Sequence, residues 1–386
     1  MSRDYQWIDN QQELAASVAR WQQQSFIAID TEFFRERTYY PALGLIQVAD
    51  TAGIYLVDPL EMTDLASILR PLLLSTTTEK VFHSGEEDLE IFGRLLGEPI
   101  RGVMDTQLML GFTTGEASVG YARLVEARLG EHVPKDQTRS NWLQRPLTDR
   151  QCDYAANDVR WLHQLYPALR DEVVQQQRLD WVQAECAWLA GKVLSRADDQ
   201  YYLNLRQGYD LTGNRLWLLQ QLALRRETRC QELDVNRKAL VSDPDLIMLA
   251  RKRPDSVAGI SELTEIRPGV LRREADWILD LIGASHTVDK SRYPEAIQGP
   301  LPRDRQDDFQ SLRAVLTDLA REQGLPREYL MRKRDLERFL LERVEGNEQF
   351  VPAAWQGWRW ALFGSLLEQR LEDRLHQASA ATGHAP

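Results

Sequence analysis

Cysteine is scarce. The chain has three, Cys152, Cys186 and Cys230, and no two are closely spaced. That excludes a disulfide framework and a Cys-x-x-Cys zinc site, and it suits a reducing cytoplasm. Long apolar runs are missing too. No stretch of about 18 apolar residues occurs, so neither a transmembrane helix nor a membrane partner is expected. The N-terminus, MSRDYQWIDNQQELAAS, lacks the apolar segment of a secretory signal. No GxxxxGK[ST] occurs, so there is no P-loop and no nucleoside triphosphate partner is expected. Low complexity is confined to the short Ala-rich tail at 378–386. Positive charge is not in surplus either. The net charge is −11, which at first sight argues against a nucleic-acid binder.

What is present is enough for a folded chain of several domains. The 386 residues are 43% apolar, and at about 100–200 residues per domain they make two or three. Each can bury a core without covalent staples. The charge is unevenly spread. Residues 1–200 carry 30 acids and 19 bases, whereas residues 201–386 carry 28 of each. The acidic excess therefore lies wholly in the first half. A carboxylate surplus is expected where hard divalent cations are held, and it is also what an ordinary solvated surface looks like.

The first half mixes strands and helices. Phe26 to Phe33 starts as an apolar, β-branched run and reads as a buried strand. Strands over 43–49 and 53–57 follow, parted by the turn residues Asp50 to Gly53, and the three look antiparallel. A helix near 61–74, short strands at 80–83 and 103–105, and helices near 89–96, 106–111, 118–129 and 148–177 complete a mixed α/β sheet flanked by helices. After about residue 200 strand signals vanish. Residues 211–229 read as a helix, and Pro244, Pro254 and Pro268 punctuate shorter ones up to Ile282. Residues 292–302 are rich in Pro and Gly and read as a linker before a second all-helical unit at about 304–377.

Asp30 and Glu32 end the first strong strand. Two residues apart, they lie on one sheet face, and like charges so placed repel unless cations neutralise them. Asp88 opens a helix 58 residues later, after His83-Ser84-Gly85. Tyr154 and Asp158 are four apart on a helix begun by Thr148, so phenol and carboxylate share a face. Taken singly, each has a plain structural explanation: a strand end entering solvent, a first-turn acid complementing the helix dipole, a packed aromatic, a surface acid. Their order and context form a specific set. Neighbours on one strand face suit chelation better than the straddling acid/base pair of a glycosidase.

Here the chain resembles a known family. FIAIDTEF at 26–33, His83 to Asp88 and Tyr154 to Asp158 match the three motifs of the DEDD superfamily of 3′→5′ exonucleases, in its tyrosine subclass. The histidine subclass would need His five residues before the last Asp, and position 153 is Asp. RERTYYPALGLIQVA at 35–49, MDTQ at 104–107, Lys135 to Trp142 and Arg145-Pro146-Leu147 are similar to the ribonuclease D branch in particular. The likeness covers about 5–200 well. The second half is similar to two HRDC-type modules, found in ribonuclease D and RecQ-type helicases. Residues 211–285 fit best and 304–377 much less clearly. Without a P-loop, a helicase motor is disfavoured.

The resemblance implies an RNase H-like α/β exonuclease domain at 1–205, then HRDC-like all-α domains at 206–292 and 300–378. It implies a two-metal site for Mg²⁺ or Mn²⁺, for which carboxylates are suitable ligands. Asp30 would bridge both metals, Glu32 and Asp158 would hold the one carrying the nucleophilic water, and Asp88 would support the second. Tyr154 would orient the water, because a free tyrosine titrates near 10 and is a poor base at neutral pH.

Candidate substrate contacts are more open. Phe33 could wedge against the terminal base or pack in the core. His83 could contact a phosphate or cap a strand end. Lys135 and Arg139 could neutralise phosphates or be surface charge. Arg225, Arg226, Arg251 and Lys252, with Arg229, Arg237, Lys238, Arg253, Arg272 and Arg273, are candidate backbone contacts or solvated helix faces. Gln47 reads as a satisfied internal polar group, and Asp105 as an N-cap.

The expected activity is metal-dependent 3′→5′ removal of nucleotides from RNA with a free 3′ end, releasing 5′-monophosphates. RNA preference, and tRNA precursors as substrates, follow from the resemblance alone. A DNA proofreading or repair exonuclease and a non-catalytic RNA-binding scaffold are the alternatives. All five motif positions are filled, which weighs against the scaffold.

Overall fold

The computed structural model describes residues 4–35, 38–134, 140–194 and 198–382. They divide into two compact units. The first comprises Met1–Glu32, Leu43–Leu194 and Leu301–Pro386, and the second Phe33–Ala42 and Ser195–Pro300.

The first unit is built on a six-stranded sheet. Its elements are β1 (Gln6–Ile8), α1 (Gln11–Trp21), β2 (Phe26–Phe34), β3 (Ala42–Asp50), β4 (Gly53–Val57), α2 (Leu65–Leu73), β5 (Glu79–Phe82), α3 (Glu86–Leu96), β6 (Val103–Asp105), α4 (Thr106–Thr114), α5 (Tyr121–Leu129), α6 (Asp149–Gln175) and α7 (Leu179–Lys192). Strand order is β1-β4-β3-β2-β5-β6. β3 and β4 pair antiparallel, with Val48 opposite Tyr55, while β1–β4, β2–β5 and β5–β6 are parallel. The expected mixed sheet with flanking helices is therefore what forms. Sequence patterning left out β1, α1 and α7.

β2 is central because its start, Ile27 to Ile29, is fully apolar and packs on both faces. The acids that follow at its end are thus fixed by a rigid element. α6 starts where Thr148 and Gln151 form a capping box, each satisfying the other's backbone amide. Asp105 does cap α4, accepting from the amides of Gln107 and Leu108 at 2.8 and 3.3 Å. The same carboxylate also accepts from the amides of Ser84 and Gly85, at 3.1 and 2.9 Å, and so shapes the turn that starts α3. Only glycine fits at 85, since a Cβ there would lie 2.7 Å from that of Phe82.

The helices of the second unit come next in the chain. These are α8 (Gly213–Leu233), α9 (Arg237–Leu240), α10 (Asp243–Lys252), α11 (Val257–Leu263) and α12 (Pro268–Ser285). Their core is a Leu- and Ile-rich cluster that includes Leu219, Leu222, Leu246 and Ile278. Tyr39 belongs to that core. Its phenol donates to Glu227 at 2.9 Å, and the Arg237 guanidinium lies 5.1 Å from its ring.

The remaining elements are α13 (Gln306–Gln323), α14 (Arg327–Leu330), α15 (Lys333–Val344) and α16 (Trp358–Thr382), which share the hydrophobic core of the sheet unit. Trp358 stacks on Trp181 of α7 at 4.8 Å. The Tyr329 ring lies so close to Gly111 that a Cβ there would meet its oxygen at 2.1 Å. Glu185 of α7 is buried and takes a two-pronged ion pair from Arg359 plus the Trp358 indole N–H at 2.8 Å. No helix among the described residues is long and apolar enough to cross a membrane.

Candidate active site

Asp30 and Glu32, two apart on β2, project from one face of the sheet. Asp158 comes to them from the third turn of α6, and one carboxylate oxygen of each lies within 4.8 Å of the other two. Asp88, in the first turn of α3, joins from the opposite side of the strand. The hydroxyl of Thr31, between the two strand acids, donates to its Oδ1. The Tyr154 phenol hydrogen-bonds the Asp158 carboxylate one helical turn away. The five motif residues thus lie around one strand end.

Electrostatics follow from that crowding. Burial raises the Asp30 carboxyl well above its ordinary range, and the charges of Asp88, Asp158 and Glu32 push it further. Glu32 is pushed up to about 9 by burial, then by Asp158 and Asp88. Burial raises Asp158 to about 7 against the opposing hydrogen bond from Tyr154. Asp88 rises to about 6, also through burial, with the Thr31 bond holding it down. Like charges this close cannot all ionise without a counter-charge. Hard oxygen donors gathered in this way fit a divalent cation, and Asp30, Glu32 and Asp158 could share one.

The surroundings add residues to which motif reading gave no role. Tyr121 donates its phenol hydrogen to the backbone carbonyl of Asp158, fixing α6 at the acid it carries. The Trp142 ring lies 6.1 Å from that of Tyr154. Its loop is held by Arg145, which donates to the Trp142 carbonyl at 2.9 Å and grips Asp58 with two bonds of 2.5 and 2.6 Å. The only sequence signal for Thr31 is its place between the two acids. Gln47 corrects one expectation. It is fully buried on β3, yet neither amide atom has a hydrogen-bond partner among the described residues. It pairs across the sheet with Leu56, which packs against Trp142 and Ala155, so it shares the face that α6 covers.

The expected substrate contacts fare unevenly. Phe33 is half-buried at the end of β2. His83 is engaged within the protein at both ring nitrogens, Nδ1 with the Thr106 hydroxyl at 2.9 Å and Nε2 with the Val119 carbonyl at 3.0 Å. Its ring is a brace between β5 and the α4–α5 loop, which leaves no nitrogen for a phosphate. Lys135 and Arg139 lie outside the described residues. Arg226 must be corrected. It is fully buried and donates to Glu227, the Val241 carbonyl and Asp243, so its charge is spent inside the helical core. Arg229 and Arg237 are similarly drawn to Glu274 and Glu227. Arg251 pairs with Asp210 and donates to the Gln207 carbonyl. Arg225 makes a loose 3.7 Å pair with Glu232, and Lys252 is exposed.

A mixed sheet with carboxylates gathered at the end of an inner strand, followed by a helical module, places the chain in the class of 3′→5′ exonucleases, as the family comparisons bear out. The family model described as 3′-5′ exonuclease matches residues 5–174, and the HRDC domain model matches 215–282. The chain is 34% identical over 370 residues to ribonuclease D of Pseudomonas paraeruginosa, covering 96% of this chain and 98% of that one. It is 30% identical to ribonuclease D of Escherichia coli strain K12 over 377 residues, covering 96% and 99%. The crystal structure of Escherichia coli RNase D, an exoribonuclease involved in structured RNA processing, superposes with a TM-score of 0.89 at 29% identity, covering 96% and 99% of the two chains. The chain belongs to the ribonuclease D family and is an exoribonuclease.

Proposed function

We propose that the protein trims RNA from its 3′ end, one nucleoside 5′-monophosphate at a time, with Asp30, Glu32, Asp88, Tyr154 and Asp158 as its catalytic set. The convergence of the carboxylates on one strand end carries this reading. Asp30, Glu32, Asp88 and Asp158 would hold two divalent ions, Mg²⁺ or Mn²⁺, which when bound supply an activated water and neutralise the leaving 3′ oxygen. The chain's own part is positional. Thr31 fixes the Asp88 carboxylate, Tyr121 fixes the α6 backbone at Asp158, and Tyr154, hydrogen-bonded to Asp158, orients water toward phosphorus. Water adds to phosphorus as its bond to the 3′ oxygen breaks, leaving a 5′-monophosphate and a new 3′ hydroxyl.

Precursors of tRNA and other small structured RNAs are the substrates we infer, in keeping with the structured-RNA role of the Escherichia coli protein. The sequence modules are 1–205, 206–292 and 300–378, although the first and third share one compact unit. The cytoplasm is the compartment that three buried free thiols suit. Side-by-side digestion of 3′-labelled RNA and DNA tests the reading. RNA should be degraded stepwise to 5′-monophosphates, with and only with Mg²⁺ or Mn²⁺. Faster loss of DNA, or cleavage undiminished in excess chelator, would refute it.

A further inference from the structure

A groove of about 740 Å³ opens on the first unit between α4, α7 and the C-terminal helices, within the range that holds nucleotide-sized ligands. Six cationic and three acidic side chains line it, in a chain whose net charge is −11. Its positive character is therefore local. One cation, Arg359, is neutralised by buried Glu185. Lys192 is held by Glu86 at 3.3 Å, and the remaining four are available in different degrees. Arg313 has no acidic partner among the described residues. Arg327 and Lys333 are exposed, and their partners Glu328 and Glu337 stand off at 3.9 and 3.5 Å. Such pairs contribute little and exchange readily for phosphate. The exposed Arg332 is seated over Trp188 at 5.0 Å, so its guanidinium is already oriented.

The groove is adjacent to the acid cluster but distinct from it. Glu86 lines the groove, while Asp88, two residues on, faces the cluster. Two residues on a helix are about 200° apart, so the two sites lie on opposite sides of the first turn of α3. An RNA end entering four carboxylates meets repulsion, and a separate cationic surface would offset it. Resting on the RNA reading above, we propose that this groove grips the phosphodiester backbone of the RNA body through Arg313, Arg327, Arg332 and Lys333. The C-terminal helices thereby become part of the exonuclease's substrate surface.

The test replaces three exposed or half-exposed cations in the full chain: Arg313→Gln/Arg327→Gln/Lys333→Gln. Two substrates are compared, a hairpin RNA with a single-stranded 3′ tail and a trinucleotide, which offers a single phosphodiester besides the scissile one. KM for the hairpin should rise about tenfold, with turnover of the trinucleotide unchanged. Each lost phosphate contact should also flatten the salt dependence, by roughly 0.7–0.9 in the log–log slope. Hairpin affinity is measured separately by fluorescence anisotropy in EDTA. A parent that binds but never cuts would refute the nuclease reading, and the groove would still be judged by the affinity of the variant. Unchanged affinity and salt slope would overturn the proposal, including the case in which the groove serves an acidic protein instead. Equal loss on the trinucleotide would overturn it too.

Discussion

Replacing Glu32 by Gln in metal-free protein isolates the cost of crowding acids at the strand end. Glu32 has an ordinary value of 4.5 and is pushed up to about 9 in the fold, by burial first and then by Asp158 and Asp88. Between those values the native state keeps a proton that the unfolded chain has released. Stability therefore falls as pH rises, by at most about 1.4 kcal/mol per pH unit for that proton. The stabilisation is complete below the unfolded value and gone above the folded one. Asp88 and Asp158, raised to about 6 and about 7, act in the same direction over lower windows. Local relaxation and water entry reduce the effect well below its ceiling. A gain of about 1–2 kcal/mol for Glu32→Gln at pH 8 in EDTA is expected, or about 2–4 °C in Tm. Thermal unfolding from pH 5.5 to 8.5 would show the parent losing Tm more steeply than the variant. Added Mg²⁺ should then stabilise the parent more, because the ion binds the native cluster that the variant has weakened. Parallel pH slopes in EDTA, or equal gains from Mg²⁺, would refute this electrostatic account.

Tyr154→Phe removes the hydroxyl on Asp158 and should lower kcat at least tenfold with KM within about twofold; steady-state kinetics showing an affinity effect alone would contradict an orienting role. Thr31→Val strips a donor from a buried carboxylate, an expected loss of about 1–3 kcal/mol that denaturant unfolding would read. Glu185→Ala leaves Arg359 without its buried partner, and a destabilisation of about 3–5 kcal/mol should appear in the same assay.

Much of the site was legible because its signals are local. FIAI is an apolar β-branched run, and Asp30-Thr31-Glu32 ends it with a period of two. Thr148 and Tyr154-x-x-x-Asp158 announce a capped helix with a functional face. The rest depends on tertiary packing. Thr31 and Asp88 touch across 57 residues, and no periodicity links them. α7 carries apolar residues around most of its circumference, so it shows no single stripe. Arg225 and Arg226 look alike as letters, yet one is half-exposed and the other lies inside a helical core against Glu227 and Asp243. Likewise, the Pro- and Gly-rich stretch at 292–302 reads as a linker before a second all-helical unit, and no local signal announces the Trp181–Trp358 stack and the Glu185–Arg359 pair that tie those helices to α7.

The most direct trial of the central claim is Asp30→Asn, assayed on 3′-labelled RNA with Mg²⁺ and, in parallel, for RNA binding. Asp30 sits between Glu32, Asp88 and Asp158 in the acid cluster. Hydrolysis should be abolished while affinity for RNA stays within a few-fold of the parent. Turnover at the parental rate would remove the cluster from the chemistry.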